Sequence, residues 1–291
     1  MNLVLHIQGG LGKVIASTAV VKNYKLAFPE SEIVIVSGYP EVYLHNPDVA
    51  GNFSFNTPNL WQDYFSQPDW KVYAHDPYLT EAWIKGERKH LIEIWSEELG
   101  VDYIQKRPLL YFSGPEVDEL VSMVKTDRNL IVVQSTGGSN PAARSWTRNM
   151  PQSELEEFLA PLMEENFVLH LCVPETPVLK NVHQRLDSLD RRKAMGLIHY
   201  AYGVVGIDSY ALHARAANPY LTGPSTFFFP LEESRVRLGY TLPNIKQIAP
   251  RPEIQNLIKE SADYFSNVFQ YNIESASENC PVPPGQRWFD F

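Results

Sequence analysis

Cysteine is scarce in this 291-residue chain: Cys172 and Cys280 stand far apart, in neither Cys-x-x-Cys nor Cys/His ligand spacing. That excludes a disulfide framework and a zinc ribbon. Positive charge is the minority sign, with 25 Lys and Arg against 34 Asp and Glu for a net charge of −9. The whole-molecule field therefore repels nucleic acid and anionic lipid unless basic residues collect on one face. A general phosphate-backbone binder is disfavoured. Long apolar runs are missing, and the opening Met1–Ile7 is short, has no basic flank and meets glycines at once, unlike a signal peptide or a span. The expectation is a soluble, cytoplasmic protein. Asp-x-Asp, His-x-x-x-His and Gly-x-Ser-x-Gly are also absent, so no metal site and no serine-hydrolase elbow is implied. No short-period repeat occurs, which sets solenoids and propellers aside.

What the chain has is apolar material. Hydrophobic residues make up 44 %, enough for one large or two ordinary cores, and global disorder is excluded. Leu3 to Ile7, the Gln8-Gly9-Gly10-Leu11-Gly12 turn and the apolar residues from Val14 to Leu26 predict strand, glycine turn and helix. Glu32 to Gly38 is a β-branched run of the kind buried on both faces, which completes a βαβ unit. Pro40 to Pro68 is rich in Asn, Pro and aromatics and shows no clear pattern. A strand from Trp70 to Ala74 and a helix containing His90 to Trp95, closed by Gly100, continue the alternation. Leu130 to Gln134 reads as a second start. A helix from Ser153 to Asn166 with Ser153 as possible cap, a strand Phe167 to Val173, a strand Gly203 to Ile207 and a helix from near Asp208 follow it. An amphipathic helix over Arg251 to Phe269 closes the chain, and the proline-rich tail has no regular pattern. The fold class expected is α/β with two successive Rossmann-like domains, 1–122 and 123–250, followed by a closing helix and tail, 251–291.

In open parallel sheets, ligands collect beyond the carboxyl ends of the strands. Four such ends carry chemistry. At Gly9-Gly10-Leu11-Gly12-Lys13, glycines admit a ligand to the backbone and Lys13 offers charge; a tight turn with a solvent lysine explains the same residues. As a nicotinamide fingerprint it is poor, because the second strand ends in Ser37-Gly38 without an acidic ribose partner. The second end, Thr136, Gly137, Gly138 and Ser139 with Arg144 and Arg148 beyond, suits a phosphate or ribose, although a plain loop has the same composition. At the third, Asp208 or Ser209 can cap a helix whose other free N–H groups face a pyrophosphate, with His213 on the same face as Ser209. A cap with a buried histidine is equally simple. The fourth is His75-Asp76, a candidate general base, with His90 and Glu93 downstream; a turn and a solvated helix face is the alternative.

Several phrases carry a resemblance. Gly9-x-Leu11-Gly12, Ala27-Phe28-Pro29 and Asn46-Pro47-Asp48-Val49 come first, then Gln134-Ser135-Thr136-Gly137-Gly138 with Arg144-x-Trp146 and Met150-Pro151. Asp208-Ser209-x-x-x-His213 and Gly223-Pro224-Ser225 complete the series. Taken in order over positions 1 to 225, they resemble the heptosyltransferase-like glycosyltransferases, family 9 of the two-Rossmann-domain (GT-B) class. Gly9 to Lys13, His90 to Glu93 and Ser145 to Arg148 are also similar to phage-encoded relatives of that family. Two departures stand out: Lys13 replaces the family's proposed catalytic Asp, and Tyr210 replaces its signature glycine. The resemblance implies a GT-B enzyme that moves a sugar from a nucleotide-sugar donor to an acceptor hydroxyl, with no metal and no cofactor. Gly10, Gly12, Thr136, Gly137, Gly138, Ser139, Arg144, Asp208, Ser209 and His213 would bind the donor. Lys13 would face the diphosphate, and Asp76 or His75 would be the base. The acceptor is open: glycan, lipid-linked sugar, small molecule or modified DNA. Transfer to DNA bases by a phage enzyme, with Arg185, Arg191, Arg192 and Lys193 as a basic strip, and an inert nucleotide-sugar binding module are the alternatives.

Overall fold

The computed structural model describes residues 1–137, 149–174, 176–220, 223–261, 282–283 and 285–291. The apolar N-terminal run is β1 (Asn2–Ile7), and the Gly9-Gly10 turn opens α1 (Leu11–Ala27). β2 (Ile33–Ser37), β3 (Gly51–Phe53) and β4 (Trp70–Tyr73) follow, and the sheet order is β3-β2-β1-β4, all parallel. Strand alternation divides the side chains: Leu3, Leu5 and Ile7 join α1 in the main core, while Val4, Val34 and Val36 pack on Leu60 across the opposite face. A short helix α2 (Glu81–Ile84) precedes α3 (Leu91–Leu99), which stops where Gly100 turns left-handed at φ 74°. α4 (Gly114–Met123) opens with a capping box between Ser113 and Glu116.

A second sheet begins at Leu130. β5 (Leu130–Gln134), α5 (Gln152–Glu165), β6 (Phe167–Cys172), β7 (Gln184–Asp187), α6 (Arg191–Tyr200) and β8 (Gly203–Ile207) lead to α7 (Tyr210–Ala216). β9 (Ser225–Phe228), α8 (Glu232–Leu238), β10 (Ile245–Ile248) and α9 (Pro252–Glu260) complete the order. This sheet runs β10-β9-β8-β5-β6-β7, again all parallel. Ser153 does not cap α5: the helix begins at Gln152 behind Pro151, whose fixed φ prepares the turn. The closing helix is α9, with Ile254 and Ile258 buried; residues 262–281 lie outside the described residues. The tail is not loose at its end. Trp288 and Phe289 are buried against the second sheet, and their backbone N–H groups donate to the Glu154 carboxylate at 2.7 and 3.1 Å.

α1 packs on α7, and one continuous apolar core runs from the first sheet through these helices to Val132, Val204 and Phe227 of the second. Such an apolar seam holds the two sheets in a fixed relation more firmly than a polar interface would. Arg192 clamps the seam from the side. Its guanidinium donates to Glu116 at 2.8 Å and to the carbonyls of Glu41 and Tyr111.

Candidate functional site

Each sheet reverses its strand order once, and a crevice opens beyond the carboxyl ends of the two strands on either side of the reversal. In the first sheet those strands are β1 and β4. Their ends bring together Lys13, one turn into α1, and Asp76, which follows β4: Lys13 Nζ donates to Asp76 Oδ2 at 2.7 Å. Asp76 Oδ1 accepts the Tyr78 N–H at 3.0 Å, and Lys13 Nζ lies 4.7 Å from the Tyr78 ring centroid. Burial lowers the Lys13 pKa, while the hydrogen bond and charge of Asp76 oppose that shift. Gly9 makes the arrangement possible: at φ 106° a Cβ there would stand 2.9 Å from Lys13 Nζ, so a side chain would push the lysine out of the crevice. Gly10 begins α1 without a side-chain cap, the first turn holds no acid, and a Cβ on Gly10 would meet nothing within 4 Å. The N–H end of α1 is therefore open to an anion beside the Lys13 amine. His75 is exposed and lines the same small hollow as Gln8, Lys13 and Asp76.

In the second sheet the reversal lies between β5 and β8, where Gln134 and Gly206 are register partners. Gln134 organises this crevice: its Nε2 donates to the Thr136 carbonyl and its Oε1 accepts the Ser209 hydroxyl. Gly137 N–H donates to Asn149 Oδ1 at 3.1 Å, and Ser135 Oγ lies 2.8 Å from Nε2 of fully buried His170, whose pKa burial pulls down to about 4. The Thr136-Gly137 loop and the Asp208-Ser209 turn are thus tied together through the Gln134 side chain. Gly138, Ser139, Arg144 and Arg148 fall outside the described residues.

Of the two expected caps it is Ser209 that caps α7, accepting Ala211 N–H at 3.3 Å. Three other expectations change. α7 is a seven-residue, buried helix, too short to present a strong dipole to a pyrophosphate. Gly12 and His213 face each other instead of the crevice: a Cβ on Gly12 would lie 2.9 Å from His213 Cδ2. His213 is 5 % exposed, pairs through Nδ1 with Tyr240 Oη at 2.6 Å, and burial holds its pKa down to about 3. Glycine and histidine here serve close helix approach. His90 likewise belongs to the seam: it caps α3 and packs 4.9 Å from the Tyr240 ring.

That seam sets the two crevices side by side. Gly12 is followed by Lys13 of the first crevice, and its nearest neighbours, Tyr210 and His213, follow Ser209 of the second. Tyr240 bridges them: burial, then the neighbouring hydroxyls of Tyr103 and Tyr78, then Asp208, raise its pKa well above the ordinary value. Sequence reasoning missed Tyr240, Gln134 as organiser, and Arg215. The last is fully buried and donates to the carbonyls of Ala201 and Tyr202 at 2.7 and 2.8 Å and to Ser225 Oγ at 3.0 Å. Gly223-Pro224-Ser225 is therefore structural clamping at the start of β9.

Two parallel α/β units, each with one strand-order reversal, joined along an α1–α7 seam, form the GT-B architecture. Among solved structures the chain is similar to the ADP-heptose lps heptosyltransferase II of E. coli, with TM-score 0.64 and 14 % identity over 85 % of this chain and 90 % of that one. It is similar as well to a family 9 glycosyl transferase from Veillonella parvula (TM-score 0.61, 13 % identity, 90 % and 91 % covered). The E. coli heptosyltransferase WaaC with ADP gives TM-score 0.59 at 12 % identity, with 92 % and 100 % covered. At such identities the likeness is one of fold. No protein-family model and no curated protein matches the sequence. No helix among the described residues is long and apolar enough to cross a membrane.

Proposed function

We propose that the chain is a glycosyltransferase: an acceptor hydroxyl attacks the anomeric carbon of a nucleotide sugar, the bond to the diphosphate oxygen breaks, and a nucleoside diphosphate leaves. The observation that carries this reading is the meeting of the two strand-order reversals across the Gly12–His213 contact, with the Lys13–Asp76 pair on one side and the Gln134–Gly137 and Asp208-Ser209 turns on the other. In it, Asp76 takes the acceptor proton, Lys13 and the open end of α1 balance the charge growing on the diphosphate, and Gly10 leaves room for it. His75 is the alternative base. Thr136, Gly137, Gly138, Ser139 and Arg144 hold the donor, and the reaction proceeds without metal or cofactor. ADP-linked sugars are the first donors to test, because one of the similar structures holds ADP.

The DNA-directed alternative is not favoured. Three of the four basic residues that would form its strip are closely paired, Arg185 with Asp187 at 2.8 Å, Arg192 with Glu116 at 2.8 Å and Lys193 with Glu119 at 2.6 Å, and Arg191 lies 4.0 Å from Glu41. The deciding experiment is a thermal-shift screen of nucleoside diphosphates and nucleotide sugars, followed by donor turnover in the presence of EDTA. A Tm raised by a nucleoside diphosphate and turnover lost in Asp76→Asn support the reading. Binding without turnover of any donor favours an inert binding module, and no binding refutes both.

A further inference from the structure

A second cavity lies on the other face of the first sheet, at the same carboxyl edge. Its volume is about 340 Å³, and its lining includes His6 of β1 and the rings of Phe55, Trp61 and Phe65. Thr57, Asn59 and Gln62 supply hydroxyl and amide groups, and no Asp, Glu, Lys or Arg contributes to the wall among the described residues. This is the segment in which the sequence shows no pattern.

Its construction is unusual for a mere connection. Residues Trp61–Phe65 form a π-helical turn, closed by Ser66 N–H donating to the Trp61 carbonyl at 2.9 Å, a rare geometry that is frequent at functional sites. Asn59 before it adopts φ 64°, a conformation asparagine tolerates better than most residues. The turn sets the Trp61 and Phe65 rings nearly parallel, 6.3 Å apart at 14°. Trp61 nevertheless stays 65 % exposed and Phe55 45 % exposed, so two large rings stand in water beside a cavity instead of closing it. The side-chain amides of Asn59 and Gln62 take no hydrogen bond from other described residues.

Flat apolar faces edged by neutral donors and acceptors match a ligand with apolar C–H faces and an equatorial rim of hydroxyls. A wall without charge offers nothing to a phosphate, a carboxylate or an ammonium group. We infer that this cavity is a subsite for a neutral sugar ring of the acceptor. The inference rests on the transferase reading and narrows its acceptor to a glycan. Neighbouring strand residues point to opposite faces, so His6 looks into this cavity while Ile7 borders the hollow of Lys13 and Asp76. A ring held here sits around the edge of the sheet from the reacting pair. It is therefore a flanking unit of a longer acceptor, not the unit that bears the attacking hydroxyl.

The test applies the full-length protein, labelled with a fluorophore, to a printed array of neutral and acidic glycans, with Trp61→Ala and Phe55→Ala alongside. Titration of the best glycan is followed by calorimetry, and ADP-induced thermal shift is recorded for each variant. The expected result is retention on neutral oligosaccharides, weakened about tenfold by either variant. Both side chains are exposed, so the fold and the ADP-induced shift should persist. The inference is overturned if no neutral glycan is retained, if only acidic glycans are, or if binding is unchanged in both variants. Glycan binding that survives in a protein blind to every nucleotide would overturn the transferase reading and leave this subsite standing.

Discussion

Gly10 and Gly12 occupy one turn of α1, and substituting each should separate the crevice from the seam. A Cβ at Gly12 would lie 2.9 Å from His213 Cδ2, 3.3 Å from its Nε2 and 3.4 Å from Tyr210 Cα. The imidazole cannot swing aside, being buried and tied to Tyr240 at 2.6 Å. Gly12→Ala gains at most about 1 kcal/mol from helix propensity, against about 1–3 kcal/mol for overpacking a closed contact. The net loss is about 1 kcal/mol, and Gly12→Val, with a branched side chain, should reach about 3 kcal/mol. Disruption of the His213–Tyr240 hydrogen bond would add to it. At Gly10 the backbone is ordinary (φ −77°, ψ 164°) and the space is open. There a poorer N-cap and a stiffer unfolded chain nearly cancel, leaving stability within about 0.5 kcal/mol of the parent. The new methyl instead stands where the diphosphate would approach, and nucleoside diphosphate affinity should fall about tenfold. Urea unfolding and ADP titration of the three variants provide the check. Equal stability of Gly12→Val and the parent, or a Gly10→Ala variant that is destabilised yet binds normally, would refute the assignment of one glycine to packing and the other to the ligand.

Three further outcomes follow from the same geometry. Asp76→Asn should lower turnover by at least about a hundredfold with donor affinity nearly kept, whereas Lys13→Met should weaken nucleoside diphosphate binding as well; comparing kcat with donor KM distinguishes them, and turnover lost in His75→Ala but kept in Asp76→Asn would move the base to His75. His213 has a folded pKa near 3 against an ordinary 6.5, so the unfolded chain binds more protons between these values. Its contribution is fully present above about pH 6.5 and is lost as pH falls toward 3, on the order of 2 kcal/mol by pH 5. The urea midpoint should track this, with a shallower slope in His213→Asn; His90 and His199, both held near 4 by burial, keep part of the slope. Finally, Glu154→Gln removes one of the two carboxylate oxygens that receive the Trp288 and Phe289 N–H groups and should cost about 1–3 kcal/mol, read as a lower Tm and faster proteolysis at the tail.

What the sequence discloses and what it hides divide along the range of the signals. Strand ends followed by glycine or a capping residue are written within a few positions, which is why the β1, β4, β5 and β8 ends could be placed and why Lys13, Asp76, Thr136 and Ser209 were singled out there. The strands Gln184–Asp187, Ser225–Phe228 and Ile245–Ile248 are four residues each, too short for any periodicity to show. Trp288 and Phe289 sit among prolines with no repeat at all, yet bury against the second sheet because Glu154 supplies acceptors for their N–H groups.

Pairings between distant segments are the harder part, and they govern function here. A glycine beside a ligand and a glycine beside a helix look the same in a sequence: Gly10 and Gly12 differ only in what the fold brings opposite them, open space in one case and His213 in the other. The same holds for charge. Lys13 occupies the position where the resembled family carries a carboxylate, and a local reading makes that a loss of the base. Strand order brings a carboxylate back beside it, because β4 lies directly beside β1 and places Asp76 at 2.7 Å from the lysine. If the pair acts as a unit, exchanging its members in a Lys13→Asp, Asp76→Lys double variant should recover part of the turnover that either single change abolishes. Failure of the double variant to exceed both singles would mean that the two groups act separately, and that the carboxylate must stand after β4 for a reason other than its partner.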